Sequence, residues 1–336
     1  MADVATSESR VSREQSLRSF ATAVLTASGV AAADAEIVAE VLVSADLRGH
    51  AEHGVAQLPA YVRHLRAGTV AARPGVRLVR ETPTAVLFDA GNGLGAPVAK
   101  RAMDAVIAKA AEHGAAFGAV RNSNPFGIAG YYAMQALAAD QIGIASSNAA
   151  RAVLPTFGLE RMLGENPLAF AIPAGVEPAY VLDFSTAQRA AAGDPEPLGG
   201  PGTETSGHKG YGLGLLADIL CGVLSGGAFG RDLPLAGPDE APGAISHFFA
   251  ALRVDGFLDP ARLRADLDRE LRSVKDSPKS PGYDRIYVAG ELEHERTRIR
   301  RERGIPIHAT TWNELNRIAG ELGVPLLEHF SGGSIP

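Results

Sequence analysis

Apolar residues recur at helical spacing near both ends of the chain. After Ser12, the side chains of Leu17, Ala21 and Leu25 lie four residues apart, on one face of a helix. Ser12 and Gln15 form an S-x-x-Q pattern, the capping box that often precedes a helix. Further helices are predicted over residues 33–47, 54–67, 291–303 and 311–322.

Short apolar runs alternate with helical segments through the middle of the chain. These runs predict strands at residues 76–79, 85–88, 116–120, 142–146, 168–172, 180–182 and 285–289. Helices are predicted at residues 96–113, 128–139 and 260–273, and Gly/Pro-rich loops at residues 194–207 and 233–244. Strands and helices that alternate at these lengths indicate an α/β layer with a largely buried sheet.

The change in pattern along the chain predicts three regions. Residues 1–11 are small and polar without a helical period, and we expect a disordered tail there. Residues 12–75 and 285–336 are largely helical, and we expect the two segments to pack together as a helical cap. Residues 76–284 are predicted to form the α/β core.

The composition of the chain limits which binding partners and which cellular compartment are expected. The 32 basic and 38 acidic residues are mixed without a long basic run, so no nucleic-acid partner is expected. The single cysteine, Cys221, excludes a disulfide framework and a multi-thiolate site, and we expect no metal centre. The N-terminal residues lack the apolar core of a signal peptide, which predicts a cytoplasmic protein.

One segment, residues 212–230, has the length and apolarity of a membrane span. Asp218 lies at its middle, where a carboxylate costs about 2.5 to 3.5 kcal/mol in a bilayer. We therefore interpret the segment as a close-packed buried helix that ends in a glycine turn, and we expect no membrane association.

The densest group of reactive side chains lies between Asp46 and Val55. Arg48 suits bidentate capture of a substrate carboxylate, and His53 can carry a proton near neutral pH. His50 and His53 are also spaced for a metal ion, but no clear third ligand follows. A solvated, salt-bridged turn remains the alternative for the whole cluster.

Polar residues follow several of the predicted strands directly. They are Asn122 and Asn124, then Ser147 and Asn148, then Asp183 and Ser185. Polar side chains at the carboxyl ends of strands are where α/β sheets bind ligands. Lys209 precedes the glycine-rich helix, where it could hold an anion such as a pyrophosphate.

A glycine run, Gly91, Gly93 and Gly95, stands between a predicted strand and a helix. Its third glycine comes too early for the dinucleotide fingerprint, and no acidic residue ends a second strand about 20 residues on. The run predicts a tight turn.

Taken in order, these segments resemble the malate/L-lactate dehydrogenase family, which is unrelated to the Rossmann-fold lactate dehydrogenases. The matching stretches are DLRGHAEHGVAQLPAYVRHLRAG (46–68), VRNSNPFGIAGYYA (120–133), LGENPLAFAIPAG (163–175), LDFSTA (182–187), HKGYGLGLLADILCGVLSGGAFG (208–230) and AGELEHERTRIRRERGIPI (289–307). The resemblance implies a mixed-sheet, non-Rossmann nucleotide-binding core and a homodimer. It also implies NAD(P)-dependent hydride transfer on 2-hydroxy or 2-oxo acids, ureidoglycolate, sulfolactate or cyclic imino acids.

The resemblance also assigns roles to individual residues. By position, it implies that Arg48 binds the substrate carboxylate and that His53 lies beside the nicotinamide. The residues that it implies for holding NAD or NADP are Asn148, Asp183, Phe184, Ser185, Lys209, Gly290 and Glu291.

The chain departs from the family pattern at residues that are expected to take part in the reaction. Relatives carry the general acid/base histidine where this chain has Pro125, and a serine where it has Glu52. Glu165 adds a negative charge near the expected cofactor, and the segment between Ser185 and Lys209 is shorter than usual. If the helix continued that far, Glu52 would pair with Arg48 and become a poor acid.

These departures leave three functions open. An iminium substrate needs no proton donor, because it arrives charged and a hydride neutralises it, and Glu52 would favour such a cation. We therefore expect a small imine or iminium substrate that bears a carboxylate. A redox-neutral cyclase, lyase or isomerase on the same scaffold, and an inactive binding protein, are the alternatives.

Overall fold

A computed structural model describes residues 9–189, 195–237 and 243–330. Its α-helices are α1 (Glu14–Ala27), α2 (Ala32–Arg48), α3 (Leu58–Ala67), α4 (Gly95–His113), α5 (Ala129–Gln135), α6 (Gly207–Asp218), α7 (Pro260–Asp276), α8 (Glu291–Arg303) and α9 (Ala309–Leu322). Its strands are β1 (Ser9–Ser12), β2 (Arg77–Thr82), β3 (Ala85–Asp89), β4 (Ala115–Ser123), β5 (Gln141–Ser147), β6 (Leu168–Ile172), β7 (Tyr180–Phe184), β8 (Ala187–Arg189), β9 (Pro195–Pro197), β10 (Ile245–Arg253) and β11 (Ile305–His308).

The chain divides into two compact units. The terminal unit joins Met1–Arg73 to Glu291–Pro336, and the central unit comprises Pro74–Gly290. In the terminal unit, α1, α2, α3, α8 and α9 pack together, and β1 pairs antiparallel with β11. Its core contains the buried side chains of Leu17, Leu42 and Trp312.

The terminal unit corrects two predictions made near the start of the chain. Residues 9–11 were expected in a disordered tail, yet they belong to β1; residues 1–8 lie outside the described residues. Ser12 is fully buried in that strand, and α1 begins at Glu14 without a side-chain cap. The predicted capping box is therefore wrong, because pairing with a strand 293 to 299 positions away overrides the local signal.

A mixed sheet forms the centre of the central unit. Its seven strands lie in the order β2-β3-β4-β10-β5-β6-β7, and only β3 and β4 are parallel neighbours. The pairing directions place the carboxyl ends of β3, β4, β5 and β7 at one edge of the sheet, next to the first residues of β10. We call this edge the polar edge, because most of the polar residues singled out in the sequence follow these four strands.

The two faces of β10 pack against different elements. Successive side chains of a strand point to opposite faces. Phe249 contacts Tyr132 of α5 on one face, whereas Phe248 on the other packs with Cys221 of the π-helical turn Ile219–Val223 that follows α6. Burial raises the pKa of Cys221 to about 12, so its thiol is unreactive.

The central unit differs from the sequence prediction at β10 and at residues 285–289. β10 was not predicted, although it is the fourth strand of the sheet and is buried along most of its length. Residues 285–289 were predicted as a strand of the cap, but they form no strand and lie in the central unit. There the Ala289 carbonyl accepts a hydrogen bond from the Val181 N–H of β7 at 3.3 Å, but the segment is not a strand.

Candidate active site

A buried acid lies at one end of the polar edge. Asp89, the last residue of β3, accepts hydrogen bonds from the Gly91 N–H at 3.1 Å and Arg121 Nε at 3.3 Å. Asn122 Nδ2 donates to the same carboxylate at 2.9 Å. Burial alone raises the pKa of Asp89, but these donors hold it below its usual range. The ionised carboxylate therefore fastens the loop after β3 to the end of β4.

The glycine run after β3 packs closely against neighbouring backbone. Gly91 has a φ of +59°, and a Cβ on Gly95 would lie 2.1 Å from the Asn124 carbonyl oxygen. Asn124 Nδ2 donates to Asn92 Oδ1 at 3.1 Å and to the Gly93 carbonyl at 2.8 Å. The run is thus a tight turn that holds the loop after β4.

Pro125 is exposed in that loop, between the buried side chains of Asn124 and Phe126. The Phe126 ring stacks on Tyr132 with ring centroids 4.7 Å apart, and Tyr132 Oη donates to the Phe126 carbonyl at 2.6 Å. The loop is therefore fixed on both sides of position 125. The proline side chain at this position has no ionisable proton to transfer.

His247 is a site residue that sequence reasoning missed. It is fully buried in β10, with Nδ1 2.9 Å from Ser147 Oγ and Nε2 2.9 Å from Ser123 Oγ. Its ring is stacked on Phe126, with centroids 4.5 Å apart and an interplanar angle of 3°. Burial lowers the pKa of His247 to about 3. The neutral imidazole thus links the ends of β4 and β5 to the loop that carries Pro125.

Asn148, a predicted cofactor residue, follows β5 and is buried. Its Nδ2 donates to Asp218 Oδ1 at 3.1 Å and to the Ala228 carbonyl at 3.0 Å, while its Oδ1 accepts from the Ser246 N–H at 2.8 Å. Burial raises the pKa of Asp218, against the hydrogen bonds from Asn148 and the Gly230 N–H. The amide of Asn148 is therefore engaged in tying β5 to β10 and to the segment after α6.

The predicted cofactor residues Asp183, Phe184 and Ser185 lie together at the end of β7, and all are half-buried. Asp183 Oδ2 accepts a hydrogen bond from the Gly130 N–H of α5 at 2.8 Å. Ser185 Oγ donates to the Glu165 carbonyl at 2.9 Å. Asp183 thus connects the end of β7 to the beginning of α5, which follows the Pro125 loop.

Lys209 lies in the first turn of α6 and is exposed. Among the described residues, its side chain has no ion-pair partner. A cation beside a helix N-terminus suits an anion, because the first backbone N–H groups of a helix lack partners within it. Residues 190–194, in the segment predicted to be shortened, lie outside the described residues.

Gly290 and Glu291 fall on either side of the division between the units. Gly290 has a φ of +85°, and a Cβ there would lie 2.9 Å from the Val181 carbonyl oxygen. Close approach to β7 therefore explains the glycine. Glu291 begins α8 in the terminal unit and is buried.

The predicted catalytic residues lie in the terminal unit. Arg48 is the last residue of α2 and is buried, whereas Glu52 and His53 are exposed in the 3₁₀ turn Ala51–His53. Gly49 ends α2 with a φ of +94°. Arg48 and Glu52 are thus not four residues apart on one helix, so the helical geometry considered for their pairing does not form.

The chain is similar to known proteins over most of its length. The sequence profile described as malate/L-lactate dehydrogenase matches residues 12–194 and 187–316. The malate dehydrogenase of Pyrococcus abyssi is 37% identical over 346 residues, which cover 93% of this chain and 95% of that protein. The chain belongs to the malate/L-lactate dehydrogenase family. The predicted family is confirmed, and membership in it makes the chain an oxidoreductase.

Solved structures share the family fold. The malate dehydrogenase of Pyrococcus horikoshii superposes with a TM-score of 0.90 at 36% identity, and the match covers 96% of this chain and 98% of that one. The delta1-piperideine-2-carboxylate reductase of Pseudomonas syringae, at 20% identity, has the same fold with a TM-score of 0.78, over 92% of this chain and 100% of that one. The predicted α/β class with a mixed, non-Rossmann sheet is confirmed.

The apolar segment at residues 212–230 is divided in the structure. α6 ends at Asp218, and a π-helical turn follows. Within the ranges that the structure describes, no helix is both long and apolar enough to cross a membrane.

Proposed function

We propose that this chain is an NAD(P)-dependent oxidoreductase that reduces an imine or iminium bond in a small substrate bearing a carboxylate. The observation that carries the proposal is Pro125, an exposed residue in a fixed loop at the polar edge. The family resemblance implies a general acid/base histidine at this position. A site that keeps the loop and loses the acid favours a reaction that does not need the acid.

The residues that the family resemblance assigns to the cofactor fit a dinucleotide in part. Lys209, cationic and exposed beside the N-terminus of α6, is suited to the pyrophosphate. Half-buried Asp183 and Ser185 offer oxygen atoms at the end of β7. Asn148 fits less well, because its amide is already bonded to protein groups. When bound, the nicotinamide supplies the hydride.

The proton requirement separates the two substrate classes. Reduction of a ketone leaves an alkoxide, and a positioned acid that protonates it raises the rate by roughly 10² to 10⁴. Pro125 cannot supply this proton, and His247 is held neutral behind Phe126 with both nitrogens bonded to serines. An iminium ion becomes a neutral amine on accepting hydride. The rate of its reduction therefore does not depend on an acid at position 125.

The residues that the family resemblance assigns to the substrate carry the charges that the proposal requires. Arg48 would bind its carboxylate through two parallel hydrogen bonds, as a guanidinium is shaped to do. Exposed Glu52 would favour the cationic iminium group by its negative charge, and His53 would lie beside the nicotinamide. These roles follow from the family resemblance and from the charges of the residues present.

A substrate panel tests the proposal. Purified protein is assayed for NADH and NADPH oxidation with cyclic imine carboxylates on one side and pyruvate and oxaloacetate on the other. We expect kcat/KM for the best imine to exceed that for either 2-oxo acid by about tenfold or more. Equal or better turnover of the 2-oxo acids contradicts the substrate class. Product formation without nucleotide consumption points instead to a redox-neutral enzyme.

We further propose that the chain forms a homodimer, as the family resemblance implies, and that it acts in the cytoplasm. Large apolar residues are exposed at four-residue spacing along α6 and the turn after it, at Leu215, Ile219 and Val223. A contiguous exposed apolar stripe is typical of a protein interface. We call it the α6 stripe.

A further inference from the structure

A buried carboxylate lies under the turn that carries Glu52 and His53. Asp46, in the last turn of α2, is 2% exposed. Its Oδ2 accepts a hydrogen bond from the Val55 N–H at 2.9 Å, nine residues further along the chain. The bond closes the loop between the end of α2 and the second 3₁₀ turn, Val55–Gln57. Glu52 and His53 lie inside the closed loop.

Gly54 leaves the space that the Asp46 carboxylate occupies. A Cβ on Gly54 would lie 2.0 Å from Asp46 Oδ1 and 2.5 Å from Oδ2, closer than any real contact. The backbone at Gly54 has a φ of −90°, which other residues adopt, so the glycine is required by space and not by its conformation. Gly54 follows His53 directly. The fit between the acid and the glycine therefore sets where the His53 backbone runs.

Charged groups surround Asp46 from the other elements of the terminal unit. Arg300 of α8 is buried and its Nη1 donates to the Asp46 backbone carbonyl. Arg296 of the same helix packs against Gly49. Arg48 lies two residues further along α2, and Glu52 faces the carboxyl with a like charge. Burial raises the pKa of Asp46 to about 7, the Val55 N–H and Arg300 oppose the rise, and Glu52 adds to it.

We propose that Asp46 is the positioning residue for Glu52 and His53, and that its carboxylate form holds the turn that carries them more tightly than its neutral form. As a carboxylate, Asp46 makes a charge-assisted bond to the Val55 N–H, roughly twice as strong as the bond that a neutral acid makes. The turn is held firmly above neutral pH and less firmly below it. The catalytic part of this inference rests on the proposed function, whereas the hydrogen bond and its titration do not.

Nuclear magnetic resonance of protein labelled with ¹⁵N-valine measures the hydrogen bond without cofactor or substrate. We expect the Val55 amide shift to titrate with a midpoint at about pH 7, and the step to disappear in Asp46→Asn, which keeps an acceptor but has no charge. Glu52→Gln should lower the midpoint because it removes the like charge. Glu36→Gln, an exposed residue of the same helix, should leave the midpoint unchanged.

A second measurement tests the positioning itself. The reaction rate of His53 with diethyl pyrocarbonate should rise about tenfold in Asp46→Ala, which loses the bond, and little in Asp46→Asn. In wild-type protein, kcat should rise with pH through about 7, and this rise should be absent in Asp46→Asn. Circular dichroism confirms that each variant is folded.

The outcomes separate the two claims. A Val55 shift that does not titrate, or one that still titrates in Asp46→Asn, overturns the proposal whether or not the protein oxidises NAD(P)H. Equal His53 reactivity in wild type and a folded Asp46→Ala also overturns it. A Val55 step lost in Asp46→Asn together with faster His53 modification in Asp46→Ala supports it, even if every substrate in the panel fails.

Discussion

At the scale of single residues, Pro125 is the position where one side chain decides the chemistry. Because it is exposed in a loop fixed by buried neighbours, a histidine there can be accommodated. We expect Pro125→His to raise kcat for 2-oxo acids by about 10²-fold and to change imine reduction little, because only the ketone needs the added acid. Pro125→Gln, which has no acidic proton, is the control. An equal gain in both variants would show that the proline acts through loop shape.

His247 should make the free energy of unfolding depend on pH in the acid range. Its pKa is about 3 in the folded protein against 6.5 for an ordinary histidine, so between these values only the unfolded chain takes up the proton. Stability is therefore lost as pH falls below about 6.5, with a slope of up to about 1.4 kcal/mol per pH unit. His247→Gln should flatten this slope in urea unfolding measured from about pH 6.5 to about pH 4. An unchanged slope would mean that another group takes up the proton.

Sequence reasoning singled out candidate site residues by the chemistry of their side chains and missed His247, whose contacts depend on packing. Asn148 and Asp183 were found because polar residues follow strands at the polar edge. His247 was missed because a histidine inside an apolar run carries no local sign of its serine partners, Ser123 and Ser147. Those partners are 124 and 100 residues away in the chain, and only the sheet brings them together.

At the scale of elements, α7 is joined to the loop between β6 and β7 by the buried acid Asp268, beside ion pairs of Glu177 with Arg272 and Lys275. Asp268 accepts hydrogen bonds from the backbone N–H groups of Gly175 at 2.9 Å, Val176 at 2.7 Å and Glu177 at 3.1 Å. These bonds hold the pKa of Asp268 below its usual range. A carboxylate with three backbone donors cannot be replaced by an amide without turning an N–H group toward another N–H group.

Asp268→Asn should therefore lower the free energy of unfolding by about 1.5 to 3 kcal/mol in urea titrations. Asp266→Asn is the matched control on the same helix, because Asp266 makes only surface ion pairs with Arg262 and Arg269 and should matter little. Equal losses in the two variants would contradict the account of the loop.

The bounds of two elements were predicted to the residue. The predicted helix at residues 291–303 has the bounds of α8, and the strand at residues 168–172 has those of β6. β10 was overlooked because its run from Ile245 to Leu252 is buried on both faces and has no two-residue alternation. The strand predicted at residues 285–289 had the right residue types, but residue type does not show whether a segment makes a ladder with its neighbour, which here is β7.

At the scale of the whole molecule, the α6 stripe should determine the oligomeric state. We expect wild-type protein to sediment as a dimer and the variant carrying both Leu215→Glu and Ile219→Glu to sediment as a monomer at micromolar concentration, because charges would be buried in the interface. Leu215 and Ile219 are 38% and 44% exposed. Leu159→Glu is the control, since Leu159 is 100% exposed outside the stripe and should leave the dimer intact. A wild-type monomer would contradict the proposed assembly.

Binding of the nicotinamide nucleotide is the claim on which the proposed function depends. Isothermal titration calorimetry of wild-type protein with NADH and with NADPH tests it directly. The account predicts saturable heat with at least one nucleotide, and affinity weakened about tenfold in Lys209→Ala, because a cation beside the pyrophosphate is lost. Lys109→Ala, which removes a charge that pairs with Glu81 at the far edge of the sheet, should leave binding unchanged. Flat titrations with both nucleotides up to about 1 mM would contradict the account.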